Sequence, residues 1–123
     1  MAKKVPPNPV TIADADGFAM AVMKWQDLLN LHDWRIERSA KPAAKANMAE
    51  INSFDLKARL ATYRIGADFG SVPVTETSVD KIACHEVLHV FLHELLEAGE
   101  DEIDSAEHRV INTLVRLLVD KQS

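Results

Sequence analysis

The 123-residue chain predicts a single α+β domain, with helices packed on one face of a small three-stranded antiparallel sheet. Three observations lead there. Apolar residues recur at helical spacing between residues 14 and 30 and again over two long stretches beyond residue 77. Between them, "DWRIER" alternates apolar and polar side chains, the period of a half-buried strand. Finally, no repeat, low-complexity tract or linker divides the chain, so residues 1–123 read as one domain.

The first ten residues, with three prolines and no periodicity, read as an irregular arm. Thr11 or Asp14 then caps a helix running to about Asn30, whose Phe18, Ala21, Val22, Trp25, Leu28 and Leu29 share one face. In "DWRIER", Trp34 and Ile36 point one way, Arg35 and Glu37 the other. "KPAAKA" breaks the pattern as a loop. "NMAEIN" and "ARLATYRI" are two further strands, separated by a turn at "SFDLK". "GADFGSVPVTETS" is a long connection. A second helix begins near Thr77 or Ser78 and stops at Gly99, and a third runs from Asp101 or Asp104 to about Asp120.

Composition narrows the function. With 47% hydrophobic and 27% charged residues the chain is an ordinary globular sequence. A net charge of −5 and no basic patch argue against nucleic acid as a partner, because phosphate binding needs a cationic surface. The start "MAKKVPPNPV" lacks the apolar run of a signal peptide, and no stretch is long enough to span a bilayer. The single cysteine, Cys84, excludes an internal disulfide and fits a reducing, cytoplasmic setting. Four of the five histidines fall between residues 85 and 108.

Two of them stand in "HEVLH". Side chains four apart stack on one helix face, so His85 and His89 can both present an imidazole nitrogen to one ion. Zinc suits imidazole ligands, and at catalytic sites it keeps a position open for water. Glu86, beside the first histidine, can take that water's proton as general base. His-Glu-x-x-His on a helix is the signature of this arrangement. The surroundings strengthen it: Val87, Leu88, Val90, Phe91, Leu92 and Leu95 wrap most of the helix, leaving a polar stripe of His85, Glu86, His89 and His93 that needs partners. The plainer alternative is a helix whose histidines bond to neighbouring groups.

A catalytic zinc needs a third protein ligand. His93 lies eight residues, about 12 Å, beyond His85 along the helix, too far to share an ion with it. It is read instead as lining the cleft. Glu107 is the better choice, because it projects into the apolar stripe of the third helix, Ile103, Ala106, Val110, Leu114, Leu117 and Leu118. The competing explanation is a capping box between Asp104 and Glu107. His108, further round the helix, is a helper of the transition state or a donor behind the ligands. Cys84 projects to the opposite, apolar side of its helix and reads as buried and inert.

With "HEVLH" and a later helical glutamate in place, the sequence resembles the HExxH zinc metallopeptidases of the gluzincin type. Within these, the element order is similar to that of the minigluzincin and SprT-like domains. "HEVLHVFLHELLE…AEHRVINTLVRLL" also resembles small metallopeptidases encoded by phages and prophages, which would place the protein in a host cytoplasm. The resemblance implies a zincin-like fold with one Zn2+ per chain, His85, His89 and Glu107 as ligands, Glu86 as base, and a peptide or protein as substrate. It covers about residues 78–118 and departs in one respect. In several gluzincins an aspartate four residues after the ligand glutamate orients a histidine, and here that position is Ile111. Asp104 and Asn112 are the alternatives for that task, and Tyr63 and His108 those for stabilising an oxyanion. In the wider zincin group an edge strand pairs with the extended substrate, a role the sequence assigns to "ARLATYRI". A zinc-binding structural or interaction domain without hydrolysis is the second hypothesis, although Glu86 would then have no task. Peptide deformylases need an upstream cysteine ligand, which this chain lacks. Ribonucleases with three histidine ligands need one soon after a helix-ending glycine, also missing here.

Overall fold

The computed structural model describes residues 8–43, 47–97, 99–100 and 102–120. Three helices and a three-stranded sheet follow in the order α1 (Ile12–Leu28), β1 (Arg35–Arg38), β2 (Ala49–Asp55), β3 (Leu60–Ile65), α2 (Glu76–Leu96) and α3 (Ile103–Asp120). Among the described residues no helix is long and apolar enough to cross a membrane. Asp101, one of the two expected starts of α3, and most of the N-terminal arm lie outside the described residues.

Local chemistry sets the helix starts. At α1, Thr11 Oγ1 accepts from the Asp14 amide at 3.1 Å while the Thr11 amide donates back to Asp14 Oδ2 at 2.9 Å. The same reciprocal pair, Thr75 with Ser78, starts α2 at Glu76, one or two residues earlier than expected. At the end of α1 the chain turns through Asn30, at φ 60°, a left-handed conformation that asparagine tolerates.

The sheet is mixed, which corrects the expectation of an antiparallel one. Strand order is β1-β3-β2, with β3 antiparallel to β2 but parallel to β1. The reason lies in the two connections. Between β2 and β3 the chain reverses in a tight turn, with Arg59 at φ 54°. After β1 it continues along the same side of β3, where Ser39 donates to Tyr63 O at 2.7 Å and Ala43 to Ile65 O at 3.1 Å. Only then does it cross to the other side to begin β2, which leaves β3 central. Gly66 closes this corner: its amide donates to Met48 O at 2.7 Å, and a Cβ there would lie 2.6 Å from Asn47 O.

The core lies between α1, α2 and one face of the sheet. Phe18 and Val22 of α1, Ala61, Tyr63 and Ile65 of β3, and Val79, Ala83, Val87, Val90 and Phe91 of α2 are all buried. Phe18 tilts against Tyr63 with ring centroids 5.3 Å apart. Two glutamates share the buried face of α2, Glu86 and Glu94. Glu94 Oε2 accepts from Trp34 Nε1 at 3.1 Å and from Arg59, and its Oε1 forms an ion pair with Arg109 Nε at 3.1 Å. Arg109 also donates to both oxygens of Asp33, at 2.8 and 2.7 Å, and to Asn30 O at 2.7 Å. One buried carboxylate thus joins α2 to β1, the β2–β3 turn and α3.

Glu94→Ala strands these donors and is expected to cost about 2–3 kcal/mol in urea denaturation, because removing one partner of a buried charge pair leaves the others uncompensated. Asp33 supplies an acid response. Its hydrogen bonds from Arg109 hold the carboxyl below the ordinary value of 3.8 against the opposing effect of burial. A group depressed in the folded state stabilises fully above its unfolded value and loses that contribution as pH falls through the folded one. Stability is therefore expected to drop below about pH 4, and more shallowly in Asp33→Asn, as followed by thermal melts across pH.

Candidate metal centre

His85, Glu86 and His89 come together on α2, their ligand atoms all within 4.8 Å of one another. The helix turn makes this arrangement. His85 and His89 stand on the exposed face, and Glu86, about 100° from His85, turns inward. The two imidazoles meet edge to face with Nε2 atoms 3.2 Å apart. Two nitrogens bound to one tetrahedral zinc at 2.0–2.1 Å would lie about 3.3 Å apart. The rings therefore already sit at the separation a shared ion requires, and the donor set fits a divalent metal.

Glu86 is 6% exposed. Its Oε1 accepts from the Ile51 amide of β2 at 3.0 Å, and its Oε2 lies 4.0 Å from His85 Nε2. One oxygen is thus tied to the sheet while the other faces the histidines. Burial pushes the carboxyl above its ordinary value, outweighing the pull of His89, His85 and the Ile51 amide, with Glu50 adding to the rise.

The neighbouring strand is placed by the same contacts. Ile51 meets Glu86, and three residues on Phe54 stacks on His93, centroids 4.0 Å apart and planes 13° from parallel. Both contacts advance in the same sense along strand and helix, so β2 runs alongside α2 in the same direction, with a bulge between Ile51 and Ser53. β2 is an edge strand, whereas β3 is paired on both sides. The expectation that "ARLATYRI" supplies an open edge is corrected: that segment is the sheet centre, and the edge beside the histidines is β2. Register also shows which backbone groups face outward. Gly66 bonds to Met48 O, so Ala49 and Ile51, paired across from Ile65 and Tyr63, turn their amides and carbonyls away from β3. A cavity of about 350 Å³ lies there, lined by Met48, Ala49, Lys81, Ile82, His85 and Glu86 among others.

The remaining expected residues lie elsewhere. Glu107, expected to point into the core, is exposed on α3 and outside the His85–Glu86–His89 group. The helix packs through Ala106, Arg109, Val110, Thr113 and Leu117, a face about 100° from Glu107. Arg109 fixes this orientation through Glu94, Asp33 and Asn30, while Ile111, Leu114, Val115 and Leu118 are left exposed. Nor do Asp104 and Glu107 form a capping box, because α3 begins at Ile103. Asp104 instead contacts His108, whose Nδ1 sits 2.8 Å from its backbone carbonyl and 3.6 Å from its carboxylate. That carbonyl, then the carboxylate, raises the His108 pKa. Asn112 is exposed, so among the described residues neither Asp104 nor Asn112 is hydrogen-bonded to His85 or His89. Tyr63 is 3% exposed in the core against Phe18, and burial raises its phenol. Cys84 is half-buried with its thiol pushed up by burial, in keeping with an inert cysteine.

The α2 helix is not enclosed on all sides, as its sequence suggested: Leu88, Leu92 and Leu96 are exposed on the face that carries the histidines. Two contributions escaped the sequence reading. Glu94 follows Val90 by four residues and so shares its buried face, a signal present in the pattern. The Ile51 amide had none, because a backbone donor depends only on the register. No family model, curated protein or solved structure matches this chain.

His93 belongs to the Phe54 stack and not to the histidine pair. His93→Leu is therefore expected to leave metal affinity unchanged, and to shift stability by less than about 1 kcal/mol, in parallel metal titrations and melts.

Proposed function

We propose that the protein is a zinc-dependent metallopeptidase in which His85 and His89 hold the ion and Glu86 is the general base. The observation that carries this reading is the 3.2 Å approach of the two Nε2 atoms, with one Glu86 oxygen turned toward them. When bound, the zinc supplies Lewis-acid polarisation and acidifies water. The chain's own groups supply the rest. Glu86 Oε2 receives the proton of the attacking water, and Oε1 stays anchored to the Ile51 amide, which fixes the base in one orientation. In the metal-free chain burial raises the affinity of Glu86 for a proton, and a bound cation would oppose that rise. An extended peptide pairs with the outward groups of β2 at Ala49, in the cavity between that edge and His85.

Glu107 is carried as the third ligand on the resemblance to gluzincins alone, with His108 as the next residue to test. The second reading, a zinc-dependent interaction domain without hydrolysis, draws on a separate observation. Leu88, Leu92 and Leu96 expose apolar surface beside the histidines, a surface suited to a protein partner.

Elemental analysis of zinc-reconstituted protein is expected to find one zinc per chain, lost in His85→Ala and in His89→Ala. Glu86→Gln should keep the zinc while lowering peptide hydrolysis by at least about a hundredfold. Glu107→Ala should weaken zinc by about tenfold or more; unchanged affinity would remove Glu107 from the ligand set. Zinc bound with no hydrolysis of a degenerate peptide pool would favour the interaction domain.

A further inference from the structure

Lys81 stands one helical turn before His85 and lines the same cavity as His85, Glu86 and Ala49. We propose that it is a specificity residue that binds a carboxylate of the peptide, either the C-terminal group or an Asp or Glu side chain close to the scissile bond. This rests on the peptidase reading for its site and goes beyond it in naming the substrate class.

The placement follows from the alignment of β2 with α2. Ala49 lies two strand residues before Ile51, about 7 Å. Lys81 lies five helix residues before Glu86, about 7.5 Å. Since Ile51 and Glu86 are in contact, Ala49 and Lys81 stand level with each other across the cavity. A peptide that pairs with the outward backbone of Ala49 therefore passes in front of the lysine while its reacting carbonyl lies at the histidines. The distance between these points corresponds to about two extended residues, within which a flexible lysine side chain can reach.

Charge sharpens the case. Among the described residues that line this cavity, the one carboxylate is Glu86. A substrate carboxylate entering the cavity is repelled by it except where a cation offsets that charge. Lys24 does not do so, being 2.5 Å from Asp80 on the α1 side. Lys81 is exposed, and among the described residues it has no ion pair or hydrogen bond. It is thus an ammonium at the cavity mouth with its donors unspent.

The test uses full-length, zinc-loaded protein and four N-acetylated degenerate peptide pools: free C-terminal acids, the same sequences amidated, and amidated pools carrying either Glu or Gln at one fixed position. Binding is read by affinity selection and mass spectrometry on Glu86→Gln, whose turnover is strongly slowed, and cleavage is read separately on the otherwise unaltered chain. The expected result is about tenfold enrichment of acids over amides, or of the Glu pool over the Gln pool. These two arms distinguish a C-terminal from a side-chain carboxylate. The preference should fall to about one in Glu86→Gln/Lys81→Met, with zinc content and melting temperature unchanged, and persist in Glu86→Gln/Lys57→Met. Equal retention of acids and amides, or a preference that survives Lys81→Met, overturns the proposal; cleavage of the amidated pool would in that case leave the peptidase reading standing. A Lys81-dependent preference without cleavage upholds the carboxylate site and removes the peptidase. If no peptide is retained at all, the carboxylate site is overturned.

Discussion

Two buried carboxylates on one helix, eight residues apart, hold this domain in register. Glu94 gathers Trp34, Arg59 and Arg109, and through Arg109 it reaches Asp33 and the end of α1. Glu86 takes the Ile51 amide and fixes β2 along α2. Charged groups are almost never buried unless paired, since their desolvation must be offset by hydrogen bonds. Each glutamate therefore specifies what surrounds it. α2 cannot turn about its axis, nor β2 slide, without leaving a carboxylate in the core unmatched.

The same two anchors explain why the candidate site lies where it does. With Glu94 and Glu86 directed inward, the helical repeat places His85 and His89 outward, side by side on the opposite edge of the helix. The histidine pair is thus oriented by residues that do not themselves face solvent. Arg109 extends the constraint to α3, turning Ala106, Val110 and Thr113 toward the interior and leaving Glu107 on the surface.

Elements whose chemistry is local were legible in the sequence. Thr11 caps α1, and Trp34, just before β1, and Ile36 on it turn inward as their alternation indicates. The histidine pair followed from spacing alone, because residues four apart meet on any helix. What depends on distant partners was not legible. The parallel pairing of β1 with β3 is set by a connection that follows β3 before crossing, which no periodicity encodes. The orientation of α3 is hidden from the sequence for a related reason. Its apolar residues are spread over more than half of the wheel, and a single arginine decides which part of that arc is buried. Glu107 lies within the arc but outside the buried part.

Glu86 has a structural role and, in the proposed function, a chemical one. A carboxylate used only as a clamp would best bring both oxygens to donors, as Glu94 does. Glu86 spends one oxygen on the strand and directs the other toward two imidazoles. Burying a carboxylate is costly, and that burial raises its affinity for a proton. Places where a fold accepts such a local cost are where function is to be sought. The bond to Ile51 gives the cost a further consequence. Glu86, the proposed base, is positioned by the same edge strand whose neighbouring residue, Ala49, presents backbone groups to the cavity. A peptide that docks on that strand is thereby placed relative to the base by a single hydrogen bond, so positioning does not require a deep cleft. In a chain of 123 residues, with little surface to spare for enclosing walls, a shared strand is a physically economical way to bring substrate and base into register.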